Sequence, residues 1–229
     1  MLDAAEWAIV GLSLKVGGVA MAVTLPIAFA LAWLLARVRF PGKVVVDAAI
    51  HLPLVVPPVV TGWLLLLAFG PNGPVGRSLQ DWFGVTVMFR WTGAAIAAGV
   101  MALPLMVRAM RISIEAVDRR LENAARTLGA GPWRVFWTLT VPLSVPGVLA
   151  GAVLGFARSI GEFGATITFV SNVPGETQTL PLAIYSALQQ PGADAIVWRL
   201  SSVSVGLSLI ALIASEMLTR RAGRGLHVL

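Results

Sequence analysis

Residues 16–36 read VGGVAMAVTLPIAFALAWLLA, 21 consecutive positions without a charged side chain. The hydrocarbon core of a bilayer is about 30 Å thick, so a helix needs about 20 apolar residues to cross it. A soluble helix interrupts its apolar stripe with polar residues on the opposite face; this run does not, and it reads as a membrane span. The residues before it, MLDAAEW (1–7), contain Asp3 and Glu6 and no basic residue. They lack the basic start of a cleavable signal peptide. Ala28-Phe29-Ala30 has the small-residue spacing of a cleavage site, but the apolar run before it is too long. The first segment is therefore expected to be a retained span.

Two further stretches, 135–157 and 200–215, are also free of charge. Over 229 residues the chain is 57% hydrophobic and 12% charged, with a mean hydropathy of +0.84. Soluble domains carry about 25% charged residues. Lipid offers no partner for backbone polar groups, so only helices and closed barrels cross it. A barrel would show short alternating segments, and this sequence has none. The fold class is an all-α integral membrane protein, expected to form one transmembrane domain over residues 1–229. There is no cysteine, which excludes disulfides and thiol chemistry. The two histidines, His51 and His227, are far apart in sequence and make no metal set.

Five spans are expected, at about Ala8–Ala36, Ala48–Phe69, Thr92–Val107, Leu143 to the mid 160s, and Leu200–Leu218. Twelve of the 17 lysines and arginines lie in three places. Arg37, Arg39 and Lys43 separate spans one and two. Arg108, Arg111, Arg119, Arg120, Arg126 and Arg134 separate spans three and four. Arg220, Arg221 and Arg224 follow span five. Basic residues stay on the cytoplasmic side. The N-terminus is therefore expected in the periplasm and the C-terminus in the cytoplasm. The net charge of +6 reads mostly as this orientation signal, with contact to anionic lipid as the lesser reading and no nucleic-acid partner. TLPLAIYSALQQP (179–191) has too short an apolar core to cross. It is expected to be an external or re-entrant helix within a periplasmic loop of about 170–198.

Two features interrupt the spans. HLPLVVPPVVTG (51–62) carries Pro53, Pro57 and Pro58, which remove amide donors and kink or break a helix. Such a break either serves packing or lines a pathway. ARSIGEFGATITF (157–169) places Arg158 and Glu162 four apart, on one helix face if the helix continues. Ionisable groups at membrane depth face a bundle interior or an aqueous cavity. The pair reads as a path lining or as a charge-compensated structural pair near the outer interface. Gly161 and Gly164 would admit a close helix neighbour. Thr166 and Thr168 offer hydroxyls to an anion, or simply bond the preceding turn.

The largest internal loop is about 108–142. RISIEAVDRRLENAARTLG (111–129) has apolar residues at helical steps, at Ile114, Val117, Leu121, Ala125 and Leu128. Gly129 and Gly131 end or bend that helix, and Pro132 suits the first turn of a second short one, PWRVFWTL (132–139). A knob this small has no core of its own and needs a protein partner.

ENAARTLGAGPWRVFWTLTVP (122–142) resembles the EAA loop of ABC importer permeases. That pattern reads EAA, three residues, Gly, nine residues, then I-x-L-P. Here it falls on Asn123, Ala124, Ala125, Gly129, Leu139, Val141 and Pro142, followed through the turn by Ala130. Asn123 stands where the family has Glu, and Glu122 lies one position earlier. The resemblance implies a type I permease fold and a cytoplasmic coupling helix that docks on an ATPase. Trp133 and Phe136 then read as anchors in that interface, or as packing against the chain's own helix ends. FPGK (40–43), HLPLVVPPVVTG (51–62), RTLGAGPWRVF (126–136) and ARSIGEFGATITFVSNVPGETQTLPLAIY (157–185) narrow the resemblance to the molybdate importer permeases. That implies passage of molybdate, with tungstate accepted too. The implied assembly has a second copy of the chain, two cytoplasmic ABC ATPase subunits and a periplasmic molybdate-binding protein. The binding protein would dock on outer loops at about 70–91 and 170–198.

No G-x-x-x-x-G-K-[ST] motif occurs, so ATP and Mg²⁺ are expected on the partner ATPase. This chain is expected to hold no cofactor or metal and to be no enzyme. A sulfate or thiosulfate permease is the near alternative. An ion-coupled secondary transporter would need intramembrane carboxylates, and only Glu162 lies deep enough. A membrane enzyme would need a clustered nucleophile and base, which the sequence does not offer.

Overall fold

The computed structural model describes residues 2–226; His227, the second histidine weighed above, lies outside them. The helices are α1 (Ala4–Arg37), α2 (Lys43–Val55), α3 (Pro58–Phe69), α4 (Pro74–Phe83), α5 (Trp91–Ala116), α6 (Arg119–Thr127), α7 (Pro132–Val135), α8 (Val141–Ile160), α9 (Gly164–Val170), α10 (Leu180–Leu188) and α11 (Asp194–Leu226). A π-helical turn, Phe136–Thr140, joins α7 to α8. No strand occurs among the described residues. Four helical segments are long and apolar enough to cross a membrane, and α2–α3 makes a fifth if the bent pair counts as one span.

Several boundaries move from those expected. α1 starts at Ala4 rather than Ala8 because Asp3 caps it. The Asp3 carboxylate accepts from the Glu6 N–H at 2.7 Å, and the Glu6 carboxylate accepts from the Asp3 N–H at 2.9 Å. Span two is not one rod. α2 and α3 meet at 118° across Val56-Pro57, because Pro57 and Pro58 leave the carbonyls of the preceding turn without amide donors. Span three runs nine residues further inward than expected, to Ala116.

Span four is corrected at both ends. Its helical path begins at Pro132, runs through the π turn and stops at Ile160. The mid 160s belong to α9, a separate helix beyond a break at 161–163. The expected inner loop of about 108–142 shrinks accordingly, because its two ends are helix and only residues 117–131 connect them. α11 extends the last span at both ends, over Asp194–Leu226.

α5 is the centre. Its alanine-rich outer half, Ala94–Ala98, is buried against Val16 and Ala20 of α1, Leu65 of α3, and Ala165 and Phe169 of α9. Its inner half, Met106, Met110 and Ile114, is buried against Ala28, Ala32 and Leu35 of α1 and Ile50 of α2. α1 and α5 are thus parallel. α8 runs against both. It lays Gly151 and Gly155 on Met110 and Met106 of α5, while its Phe156 lies against Gly17 of α1. Small residues at four-residue steps let membrane helices approach closely. α11 again parallels α1, with Leu200 beside Val10 in a third cluster that includes Leu180 and Ala183 of α10. Three parallel spans with returns between them make an odd number of crossings.

α10 is not a span. It is nine residues long, with Leu180 and Leu182 buried. The Leu180 N–H donates to Ser13 Oγ of α1 at 2.7 Å, which places α10 at the end of the bundle where α1 begins. A clasp holds that end. Arg199 of α11 donates to both carboxylate oxygens of Glu6, at 2.8 to 3.1 Å.

Candidate functional site

Two constellations stand out, one at each side of the bundle. The first surrounds α6, at the end where α1 and α5 finish. The single helix expected over 111–129 is two. α5 stops at Ala116, and Asp118 caps α6 by accepting from the Arg120 N–H at 2.8 Å. The expected apolar stripe is therefore split. Ile114 and Val117 are buried, whereas Leu121 is half exposed and Leu128 is 89% exposed. Gly129 ends α6 as expected, with φ +86.

Within α6, Glu122 is buried while Asn123 and Ala124 are exposed and Ala125 is partly so. Glu122 pairs with Arg37, at the last turn of α1, at 3.0 Å. Thr140 of the π turn donates its hydroxyl to the same carboxylate oxygen at 2.9 Å. Arg37 also donates to the Val117 carbonyl at 3.1 Å, and Arg119 donates to the Ala36 carbonyl at 3.3 Å. A cavity of about 280 Å³ opens beside this network, lined by Arg37, Arg119, Glu122, Asn123, Arg126 and Thr140 among others.

Phe136 adopts the second of its two readings and packs edge-on against Phe29 and Trp33 of α1. Trp133 stays 74% exposed while touching Phe136 edge-on. Ala130 is half-buried, and its N–H donates to the Ala125 carbonyl at 3.0 Å. Pro142 lies inside the helical path that already runs from Pro132, and its missing amide falls directly after the π turn, where the regular hydrogen-bond ladder is already broken. Sequence reasoning missed the exposed Leu121, Leu128 and Trp137. The signal that would have exposed the leucines is Asp118, a capping residue inside the presumed helix.

The second constellation sits at the breaks in α2–α3 and α8–α9. Arg158 and Glu162 do pair, at 2.6 Å, although the helix ends between them. Glu162 is buried, and its other oxygen accepts from the Ala165 N–H at 2.7 Å, starting α9. Its structural work is therefore explicit. The Arg158 side chain remains partly exposed.

Gly164 gives the close approach expected of it, since a Cβ there would stand 2.7 Å from Pro58 Cβ. Gly161 does not; its Cβ would meet only the Ala157 carbonyl, at 3.8 Å. Pro57 and Pro58 are exposed at the bend. Thr168 bonds the preceding turn, to the Gly164 carbonyl at 2.9 Å, and Thr166 is buried. His51 lies apart from both sites, beside Asp47 at 3.2 Å. Among the described residues, no three His, Asp or Glu side chains gather as a metal site would require.

Comparison with known proteins places these features. Residues 25–224 match the family described as binding-protein-dependent transport system inner membrane component. The chain is 56% identical over 223 residues to the molybdenum transport system permease protein ModB of Escherichia coli (strain K12), covering 96% of this chain and 97% of that one. It is 37% identical over 197 residues to the sulfate transport system permease protein CysT of the same organism, covering 85% of this chain and 69% of that one. Among solved structures it superimposes on a bacterial alginate ABC transporter in complex with an alginate pentasaccharide-bound periplasmic protein. That match has a TM-score of 0.73 at 18% identity, covering 93% of this chain and 78% of that one. The fold is that of type I ABC importer permeases. The charge-free spans, the odd number of crossings and the family match together make the chain a multi-pass protein of the inner membrane, and it belongs to the family of inner-membrane components of binding-protein-dependent transport systems.

Proposed function

We propose that this chain is the permease subunit of an ATP-driven importer of molybdate, accepting tungstate as well, working as a pair of identical copies. The observation that carries the reading is α6, a short helix whose small, uncharged residues Asn123 and Ala124 face outward while its carboxylate is turned in. Such a helix buries almost nothing but Glu122 within this chain and leaves Leu121 open, and is built to dock on a partner. That partner is a cytoplasmic ATPase, one for each copy, holding the ATP and Mg²⁺ that drive transport. Ala125, Gly129, Ala130 and the exposed Trp133 complete the docking face, and Phe136 and Pro142 seat it on the spans.

A periplasmic molybdate-binding protein delivers the oxyanion to the opposite end, where α4 and α10 lie. A doubly charged anion loses its hydration on entering an apolar path. The partly exposed Arg158 guanidinium offsets that loss, and Glu162 keeps it in place. Thr166 and Thr168 add little, since one is buried and the other is engaged. Greater similarity to a molybdenum permease than to a sulfate permease favours molybdate over sulfate as the cargo.

Vesicles containing this chain, its ATPase and its binding protein should take up molybdate on addition of ATP, with sulfate a poor competitor. Uptake that ignores ATP and follows the proton gradient would overturn the reading. Sulfate that competes as well as tungstate would overturn the choice of substrate.

A further inference from the structure

Moving a residue by one position along an α-helix turns it by about 100° about the axis. Glu122 stands one position before the site at which the EAA pattern carries its acid, and it accordingly faces the bundle instead of the solvent, where Asn123 now sits. The carboxylate does not go unused. It meets Arg37 at 3.0 Å and Thr140 at 2.9 Å, with both charged side chains about nine-tenths buried. Arg37 closes α1 and also holds the Val117 carbonyl at the corner between α5 and α6. Thr140 belongs to the π turn at the head of α8, and its carbonyl accepts from Ser144 Oγ at 2.5 Å. One carboxylate therefore ties α6 to the inner ends of α1 and α8, and its arginine adds the end of α5.

We propose that Glu122 is a positioning residue which, through Arg37 and Thr140, makes α6 move as one body with α1 and α8, so that a push on α6 reaches both spans. The proposal rests on the reading of α6 as the docking helix. The backbone of 117–131 is otherwise a short connection with few buried side chains, and a hinge there would let α6 swing without moving a span. The buried pair closes that hinge, together with the hydrogen bond from Arg119 to the Ala36 carbonyl.

The experiment uses the complete complex in vesicles and reads two quantities, the amount of ATPase that co-purifies and the ATP hydrolysed per molybdate imported. In Glu122→Gln and Arg37→Gln the ATPase still co-purifies, and the ATP spent per molybdate rises about tenfold. Arg37→Lys, which keeps the charge but cannot reach both Glu122 and the Val117 carbonyl, gives an intermediate ratio. The chain contains no cysteine, so Arg37→Cys with Glu122→Cys can be bridged by a short bifunctional thiol reagent. Bridging restores a low ratio that the unbridged double variant lacks.

If Glu122→Gln and Arg37→Lys both keep the unsubstituted ratio, or the bridge leaves it high, the proposal is wrong while the docking helix stands. If the unsubstituted chain shows no ATP-driven uptake, the docking reading falls and this proposal falls with it.

Discussion

Gly62 of α3 and Ala165 of α9 meet backbone to backbone. A Cβ placed on Gly62 would stand 2.6 Å from the Ala165 carbonyl oxygen and 2.8 Å from Thr168 Cβ. The two helices that follow the breaks in spans two and four are therefore locked to each other. Neither neighbour is the free end of a flexible side chain, so nothing yields without moving backbone. Gly62→Ala should cost about 1–3 kcal/mol, the usual range for overpacking, and Gly62→Val more. Thermal unfolding in detergent measures it. An unchanged midpoint for Gly62→Val would mean that α3 and α9 sit further apart than the structure places them.

Gly129→Asp tests the docking face cleanly. A Cβ at Gly129 meets nothing in this chain within 4 Å, so only the positive φ of +86 opposes the change. That conformation costs a side chain about 1–2 kcal/mol, and less for Asp than for most residues. The variant should insert and fold, yet lose ATP-driven uptake at least tenfold. Retained ATPase binding with normal uptake would show that no partner contacts this turn.

Arg158 and Glu162 separate structure from transport when substituted together. Arg158→Ala leaves the buried Glu162 carboxylate without its cation, and breaking a buried pair on one side costs about 3–5 kcal/mol; the partial exposure of Arg158 puts the expected loss at the low end. Glu162→Gln keeps an acceptor for the Ala165 N–H and should cost less. The double variant Arg158→Gln with Glu162→Gln should recover most of the melting temperature, because no charge is left stranded. Molybdate uptake in that double variant then reports the path. A drop of tenfold or more supports a role for the guanidinium in passage, and wild-type uptake assigns the pair to structure alone.

Glu6→Gln and Arg199→Ala probe the clasp at the opposite end. Arg199→Ala removes the paired hydrogen bonds joining α1 to α11, and Glu6→Gln removes their charge. Hydrogen exchange in the first two turns of α1 should speed up in both, with α6 unaffected. Equal protection in wild type and variants would show that the capping box of Asp3 holds the helix start unaided.

The parts of this fold legible in the sequence were those set by solvent. Lipid dictates charge-free runs, so α1, α5, α8 and α11 could be placed from composition. Gly129 was legible because its turn needs a positive φ. What could not be read depended on side chains meeting at a distance. The stop at Ile160 is one case: Arg158 and Glu162 keep helical spacing in sequence, but Glu162 turns to cap α9 instead of continuing α8. The inward turn of Glu122 is another. Its register shift was visible as a departure from the family pattern, while the arginine that receives it lies 85 positions earlier at the end of another span. The bend between α2 and α3 was announced by Pro57-Pro58, but proline fixes where a helix breaks and not the angle at which it resumes.

The π turn at Phe136–Thr140 spreads its hydrogen bonds over five residues, the Val141 N–H reaching back to the Phe136 carbonyl. It holds one residue more than an ordinary helical turn would. That surplus works like a washer on a threaded rod, taken up within one turn between α7 and α8. Deleting a single residue from this stretch would keep every apolar side chain in place further along α8. It would also close the wide turn to an ordinary helical one and bring Pro142, which has no amide to donate, into an unbroken ladder, so the extra residue is what lets a proline stand in the middle of this helical path.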